Sequence, residues 1–258
     1  MSGSESDKIK QAAVIKFRVG LKDNLFAIIL TGSASTGTYK AGWSDLDLLV
    51  IVEHLDFDTK RLVAGATAEL ENASNVHHGL NIITKEELEK PTNPEILLDG
   101  KTIQALIDLR KYPGRLLYSK EHIDLNNIYS PNEATIKAYS LSNIGMFLRR
   151  NRRTLTKATD HSADELKELL KKEMRAAIII IKLAVQYLTG IPQDDYQSTI
   201  QRAKVLFPAF NFEAIKINFK IISDWNNLND GDEIIKVFRW TDKFIEDFSH
   251  YVFTQIKK

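Results

Sequence analysis

Hydrophobic and polar positions follow two different patterns along this chain, and the change falls near its middle. In the first half, short apolar runs alternate with segments of helical period. Gln11 to Leu21 reads as a helix. Phe26 to Leu30 (FAIIL) is a short apolar strand that breaks at Thr31-Gly32-Ser33. Leu46 to Val52 is apolar almost throughout, the pattern of a strand covered on both faces. Thr59 to Glu71 returns to the helical period through Leu62, Val63, Ala66 and Leu70, and Leu80 to Thr84 reads as a third strand. Turn residues at Pro91-Thr92-Asn93-Pro94 and Asp99-Gly100-Lys101 then punctuate the chain. A helix over Ile103 to Leu109 and a short edge strand over Leu116 to Tyr118 complete this half.

From Pro131 onward the spacing is helical throughout. Ser130-Pro131-Asn132-Glu133 marks a helix start, with Pro in the first turn and an acid near the positive end of the dipole. That helix runs to about Thr156. Ser162-Ala163-Asp164-Glu165 resembles a capping box and opens a second long helix that stops at Gly190-Ile191-Pro192. Further helices are expected over about 195–206, 211–227 and 232–256. The pattern therefore predicts an α/β (α+β) domain with a mixed sheet over residues 1–128, then an all-α helical bundle over 129–258.

Composition narrows this picture mainly by exclusion. The chain has 258 residues, 43% hydrophobic and 27% charged, the profile of a folded globular protein. No run approaches the length of a membrane span, and Met1 to Asp7 has no apolar signal core, so a cytoplasmic location with no membrane partner is expected. With no cysteine there are neither disulfides nor thiolate metal sites. The formal charge of +1 gives no overall attraction to nucleic acid.

Chemistry concentrates in Thr31-Gly32-Ser33-Ala34-Ser35-Thr36-Gly37 and Trp43-Ser44-Asp45-Leu46-Asp47-Leu48-Leu49-Val50. Gly32 and Gly37 allow backbone N–H groups to approach phosphate oxygens, and Ser33 adds a hydroxyl. In a strand, positions i and i+2 share a face, so Asp45 and Asp47 present paired carboxylates while Leu46 and Leu48 point into the core. Two hard oxygen ligands so placed suit Mg²⁺ or Mn²⁺ shared with a nucleoside triphosphate. The plainer reading, a solvated turn at a strand start, leaves the preceding Gly-Ser loop without a purpose.

A Gly-Ser loop followed by Asp-x-Asp on the next strand resembles the DNA polymerase β-like nucleotidyltransferase superfamily. With a helical domain behind it, the chain is similar to the small bacterial antibiotic (kanamycin-type) nucleotidyltransferases and to minimal nucleotidyltransferases with helical partners. The resemblance implies transfer of a nucleoside monophosphate from a Mg-nucleoside triphosphate to an acceptor hydroxyl held between the domains, with pyrophosphate released. It makes Asp45 and Asp47 the metal ligands, with Gly32, Ser33 and Ser44 on the nucleotide. It points to a small-molecule hydroxyl acceptor, with a protein or tRNA end as the alternative of a toxin–antitoxin type module.

The superfamily supplies a third carboxylate from a later strand, here His77-His78-Gly79-Leu80-Asn81-Ile82-Ile83-Thr84, and Gly79 stands where that acid belongs. Asn81 shares its face, and Glu71 falls in the preceding helix. The departure leaves three readings open: a weakened metal site, an acid supplied from elsewhere, or a catalytically impaired module that still binds nucleotide. Glu133, by resemblance, is a candidate general base from the helical domain, and Lys137 one turn on is a candidate phosphate contact. Against this, the two pair simply at i, i+4. Lys182, amid apolar residues and on the same side as Arg175, either snorkels or meets a triphosphate. His77-His78 is expected at the surface. The basic run Arg149-Arg150-Asn151-Arg152-Arg153, with Lys157 beyond it, reads as favourable charge at a helix end or as an RNA or triphosphate contact.

Overall fold

The computed structural model describes residues 5–35, 37, 39, 43–94, 98–155, 162–193 and 196–256. It divides into two compact units, Met1–Pro131 and Asn132–Lys258.

In the first unit α1 spans Glu5–Leu21 and buries Ile9, Ala13, Phe17 and Leu21, one residue from each turn. Strand β1, Leu25–Thr31, is buried at every position. It runs into a one-turn helix α2, Gly32–Ser35, and the chain returns as β2, Leu46–Val52. Helix α3, Phe57–Ser74, is capped by Asp56, whose side chain accepts from Thr59 N, and it ends at Asn75 in the left-handed region. Strand β3, His78–Thr84, leads into α4, Lys85–Glu89, through a capping box of Thr84 and Glu87. Helix α5, Gly100–Lys111, and strand β4, Leu116–Ser119, come next.

The sheet order is β3-β2-β1-β4. β1 is antiparallel to β2 and β4, while β2 and β3 are parallel, which gives the mixed sheet the sequence predicts. Leu25, Ile28, Leu30, Leu46, Leu48, Val50 and Val52 pack with Phe17 from α1 and Val63 and Leu70 from α3 in one core. The two central strands are thereby fixed in register, and with them the ends that carry the motif.

The second unit is helical in all its described elements. Its helices are α6, Glu133–Leu155; α7, Ala163–Thr189; α8, Tyr196–Leu206; α9, Glu213–Ser223; and α10, Gly231–Ile256. Ser162 caps α7 by accepting from Glu165 N, and Gly190 closes it with a φ of 65°. The segment expected as one helix over 211–227 is instead α9 and a separate 3₁₀ turn, Trp225–Asn227. The core is rich in aromatics, with Phe210 and Phe248 centroids 4.9 Å apart and Phe244 stacked on Phe248 at 5.4 Å.

Candidate active site

The ladder between β2 and β3 sets the geometry of the candidate site. Leu46 is buried, its N donates to His77 O at 2.9 Å, and the parallel register then pairs Asp47 with Gly79. On its other side Asp47 is opposite Thr31, the last residue of β1. Asp45 lies just ahead of β2, two residues before Asp47. The sequence thus brings the Gly-Ser turn, the Asp pair and Gly79 to the same end of adjacent strands.

The Asp47 carboxylate lies in a slot between two positions that bear no side chain. Gly32 has a φ of 64°, and a Cβ there would overlap Asp47 Oδ2 and come within 3.1 Å of Asp47 Cγ. A Cβ at Gly79 would overlap Asp47 Oδ1 and come within 3.3 Å of Lys101 Nζ. Gly79 is therefore more than a missing acid, because Asp47 uses the space.

Lys101 is a residue of this site that the sequence pattern does not single out. Its Nζ donates to Asp47 Oδ1 at 2.9 Å. The Lys101 side chain is 61% exposed and that of Asp47 only 19%. Lys101 stands in the first turn of α5, and that turn is fastened to β3. Asp99 caps α5 by accepting from Thr102 N at 2.7 Å. Asn81 Nδ2 donates to both Asp99 oxygens, at 2.9 and 3.0 Å, and reaches Thr102 Oγ1 at 3.1 Å. The amide nitrogen of Asn81 thus ties α5 to β3. The only sequence signal for Lys101 is the Asp99-Gly100-Lys101 punctuation, which marks a turn and says nothing of what lies opposite.

Ser33 succeeds Gly32 in α2, and Ser44 precedes Asp45; both are half-buried. Thr36, within the loop that the sequence assigns to phosphate binding, lies outside the described residues, as does Lys157 beyond the basic run. Beneath the start of β3, the Glu71 carboxylate accepts from His78 N at 2.7 Å and pairs with His77 Nδ1 at 2.6 Å. Chiefly the backbone bond from His78 holds the Glu71 carboxyl below the usual range. The expectation that both histidines lie at the surface holds for His77 alone. His78 is 3% exposed, and burial pushes its imidazole down.

The remaining predicted residues belong to the second unit. Glu133 opens α6 and pairs with Lys137 at 2.5 Å, the plain i, i+4 contact. Its stem lies over the α7 terminus, where a Cβ at Gly190 would overlap Glu133 Cγ. Lys182 is half-buried on α7. The basic run is partly used inside its own unit. Arg152 makes a two-pronged pair with Glu246 at 2.7 and 2.8 Å and meets His250 Nε2 at 3.2 Å. Asn151 is buried and donates to Asp242 at 2.8 Å.

The donor set that a cation would meet here is the Asp45 and Asp47 carboxylates, the second of them already paired with Lys101. Two hard oxygens at alternate positions fit one Mg²⁺ or Mn²⁺ completed by phosphate and water. Among the described residues no group of three His, Asp or Glu side chains is placed to hold a metal.

Residues 11–104, within the first unit, match the family model of the nucleotidyltransferase domain. The match takes in β1, the Gly-Ser turn, β2, β3 and Lys101. The fold of the chain is similar to that of the spectinomycin adenyltransferase AAD(9) from Enterococcus faecialis, solved with ATP and spectinomycin. The TM-score is 0.58 at 14% identity, over 93% of this chain and 99% of that one. No curated protein matches the chain by sequence. No helix among the described residues is long and apolar enough to cross a membrane.

Proposed function

We propose that the protein is a nucleotidyltransferase that moves a nucleoside monophosphate from a metal-bound nucleoside triphosphate to a hydroxyl of a small molecule. The observation that carries this reading is the Asp45–Asp47 pair at β2 beside the Gly32-Ser33 turn, inside a segment that matches the nucleotidyltransferase domain. The acceptor class is supported by the likeness in fold to an adenyltransferase solved with ATP and spectinomycin.

In this reaction the acceptor oxygen forms a bond to the α-phosphorus, the bond from that phosphorus to the bridging oxygen breaks, and pyrophosphate leaves with the electron pair. The divalent ion supplies charge neutralisation on the phosphates and the acceptor oxygen. The chain's own residues bind and orient. Asp45 and Asp47 hold the ion. The backbone at Gly32 approaches the phosphates where a side chain would block it, and Ser33 and Ser44 donate hydroxyls to the nucleotide. Glu133 is the base we assign to the acceptor proton, with Lys137 and Lys182 as phosphate contacts; for these three the support is the family resemblance and their positions in sequence. Catalysis of this kind is mostly positioning and electrostatics.

A second reading is favoured by one observation, the bare position at Gly79. In it the domain binds nucleotide as a regulatory module and transfers nothing. Pyrophosphate release from Mg-ATP and the other triphosphates, against a panel of hydroxylated small molecules, separates the two. Release that depends on one acceptor and vanishes in Asp45→Ala supports transfer. Tight binding without release across the panel supports the regulatory module, and release unchanged in Asp45→Ala contradicts both.

A further inference from the structure

The space opposite Asp47, where the family resemblance puts a third carboxylate, is taken up by a cation from another element. Three observations converge on it. The β2–β3 register makes Gly79 the partner of Asp47. The direction of a Gly79 Cβ leads onto Asp47 Oδ1 and to within 3.3 Å of Lys101 Nζ. Lys101 is held there by a built support, with Asn81 fastening the Asp99 cap of α5 to β3 two residues past Gly79.

Stability does not account for this pair. A carboxylate–ammonium contact with one partner well exposed contributes about 0–1 kcal/mol. A glycine in a strand interior also weakens the strand, so Gly79 at this position calls for a reason of its own. Local charge supplies one. With a triphosphate bound, its oxygens and the two carboxylates hold more negative charge than one divalent ion neutralises, and the Lys101 ammonium adds a positive charge at Asp47.

We propose that Lys101 is the second cation of this site. Its ammonium, seated on Asp47 in the room that Gly79 leaves, takes the phosphate charge that a second metal would otherwise meet, so nucleotide binds with a single divalent ion. The inference rests on the proposed metal–triphosphate reading and deepens it. Lysine suits the role because its compact charge sits on a flexible stem, and the exposed side chain can turn from Asp47 to a phosphate oxygen.

The test is calorimetric titration of the full chain with Mn²⁺ and a non-hydrolysable ATP analogue, with Mn²⁺ stoichiometry read by electron paramagnetic resonance. The wild type should hold one Mn²⁺ per ternary complex. Lys101→Met should keep the wild-type thermal midpoint and lose at least tenfold in analogue affinity, and Lys101→Arg should recover part of that loss. Two Mn²⁺ per complex, or analogue affinity in Lys101→Met equal to or tighter than wild type, overturns the proposal. The latter outcome would make Lys101 only a stand-in counter-ion for an empty site. Failure of the underlying reading looks different, because the wild type would then bind neither Mn²⁺ with analogue nor analogue alone, and the proposal would fall with it.

Discussion

Asp47 sits where three strands meet, and its carboxylate fits because two neighbours have no side chain. Gly32→Ala forces a left-handed backbone on a residue with a Cβ, a strain of about 1–2 kcal/mol. The same Cβ displaces Asp47 Oδ2. The expected result is a thermal midpoint a few degrees lower together with loss of metal-dependent triphosphate binding, read by melting and titration on one sample. Gly79→Asp, which restores the family's acid in name, should push the Asp47 carboxylate aside and weaken binding rather than improve it; tighter Mn²⁺ binding in that variant would contradict the slot geometry. The Asp pair and the Gly-Ser turn were legible in the sequence because strand period and loop chemistry are local properties. Lys101 was not, because its partner is 54 positions away and only the packing of α5 on β3 brings them together.

Most elements came directly from local pattern. The bounds of Leu46–Val52 are direct because its apolar run lies between the polar Asp45 and Glu53. The two cap-defined ends of α7, Ser162 and Gly190, were equally direct. The start of α1 lies ahead of the expected range, since exposed polar residues there carry no periodic signal. The apolar pattern marks β3 only from Leu80, while the stretch assigned by the family resemblance already takes in His78 and Gly79. The burial of His78 is a tertiary fact that composition does not announce.

Among the helices of the second unit, α6, α7 and α10 enclose a polar layer. Glu173 on α7 is 2% exposed, and burial pushes its carboxyl up to about 7. Asp242 on α10 is shifted upward for the same reason. A folded-state value above the unfolded one means that the protonated form is the well-accommodated one. Stability should therefore be fullest below pH 4.5 and decline as pH rises through about 7, with the Glu173 contribution amounting to roughly 3 kcal/mol at most. Glu246, held low mainly by the Arg152 hydrogen bond, acts in the opposite sense and only at acid pH. Glu173→Gln should flatten the decline in thermal midpoint between about pH 5 and 8 and raise the midpoint at the upper end; an unchanged pH profile would contradict the assignment.

For the molecule as a whole, charge bears on the acceptor. A formal charge of +1 gives no long-range attraction to a polyanion, and Arg152 is engaged with Glu246. Replacing Arg149 and Arg150 together by alanine should leave triphosphate affinity unchanged, and with a small-molecule acceptor it should leave pyrophosphate release unchanged as well. A selective fall in release on a tRNA acceptor would favour a macromolecular one. The likeness to the nucleotidyltransferase domain is legible because the segment that carries it is compact in sequence. The acceptor is not, because no local spacing rule marks the residues that would hold it.

Metal-dependent binding of nucleoside triphosphate at the Asp pair is the claim on which the rest depends. It is tested by thermal melting of the full chain with each triphosphate, with and without Mg²⁺, alongside Asp45→Ala and Asp47→Ala. Ligand at about 100 times its dissociation constant should stabilise the native state by roughly 2.7 kcal/mol. The account predicts that shift in the wild type only when Mg²⁺ is present, and its absence in both variants although each melts close to the unliganded wild type. A wild type that no triphosphate shifts at saturation, or variants that shift as the wild type does, would contradict it.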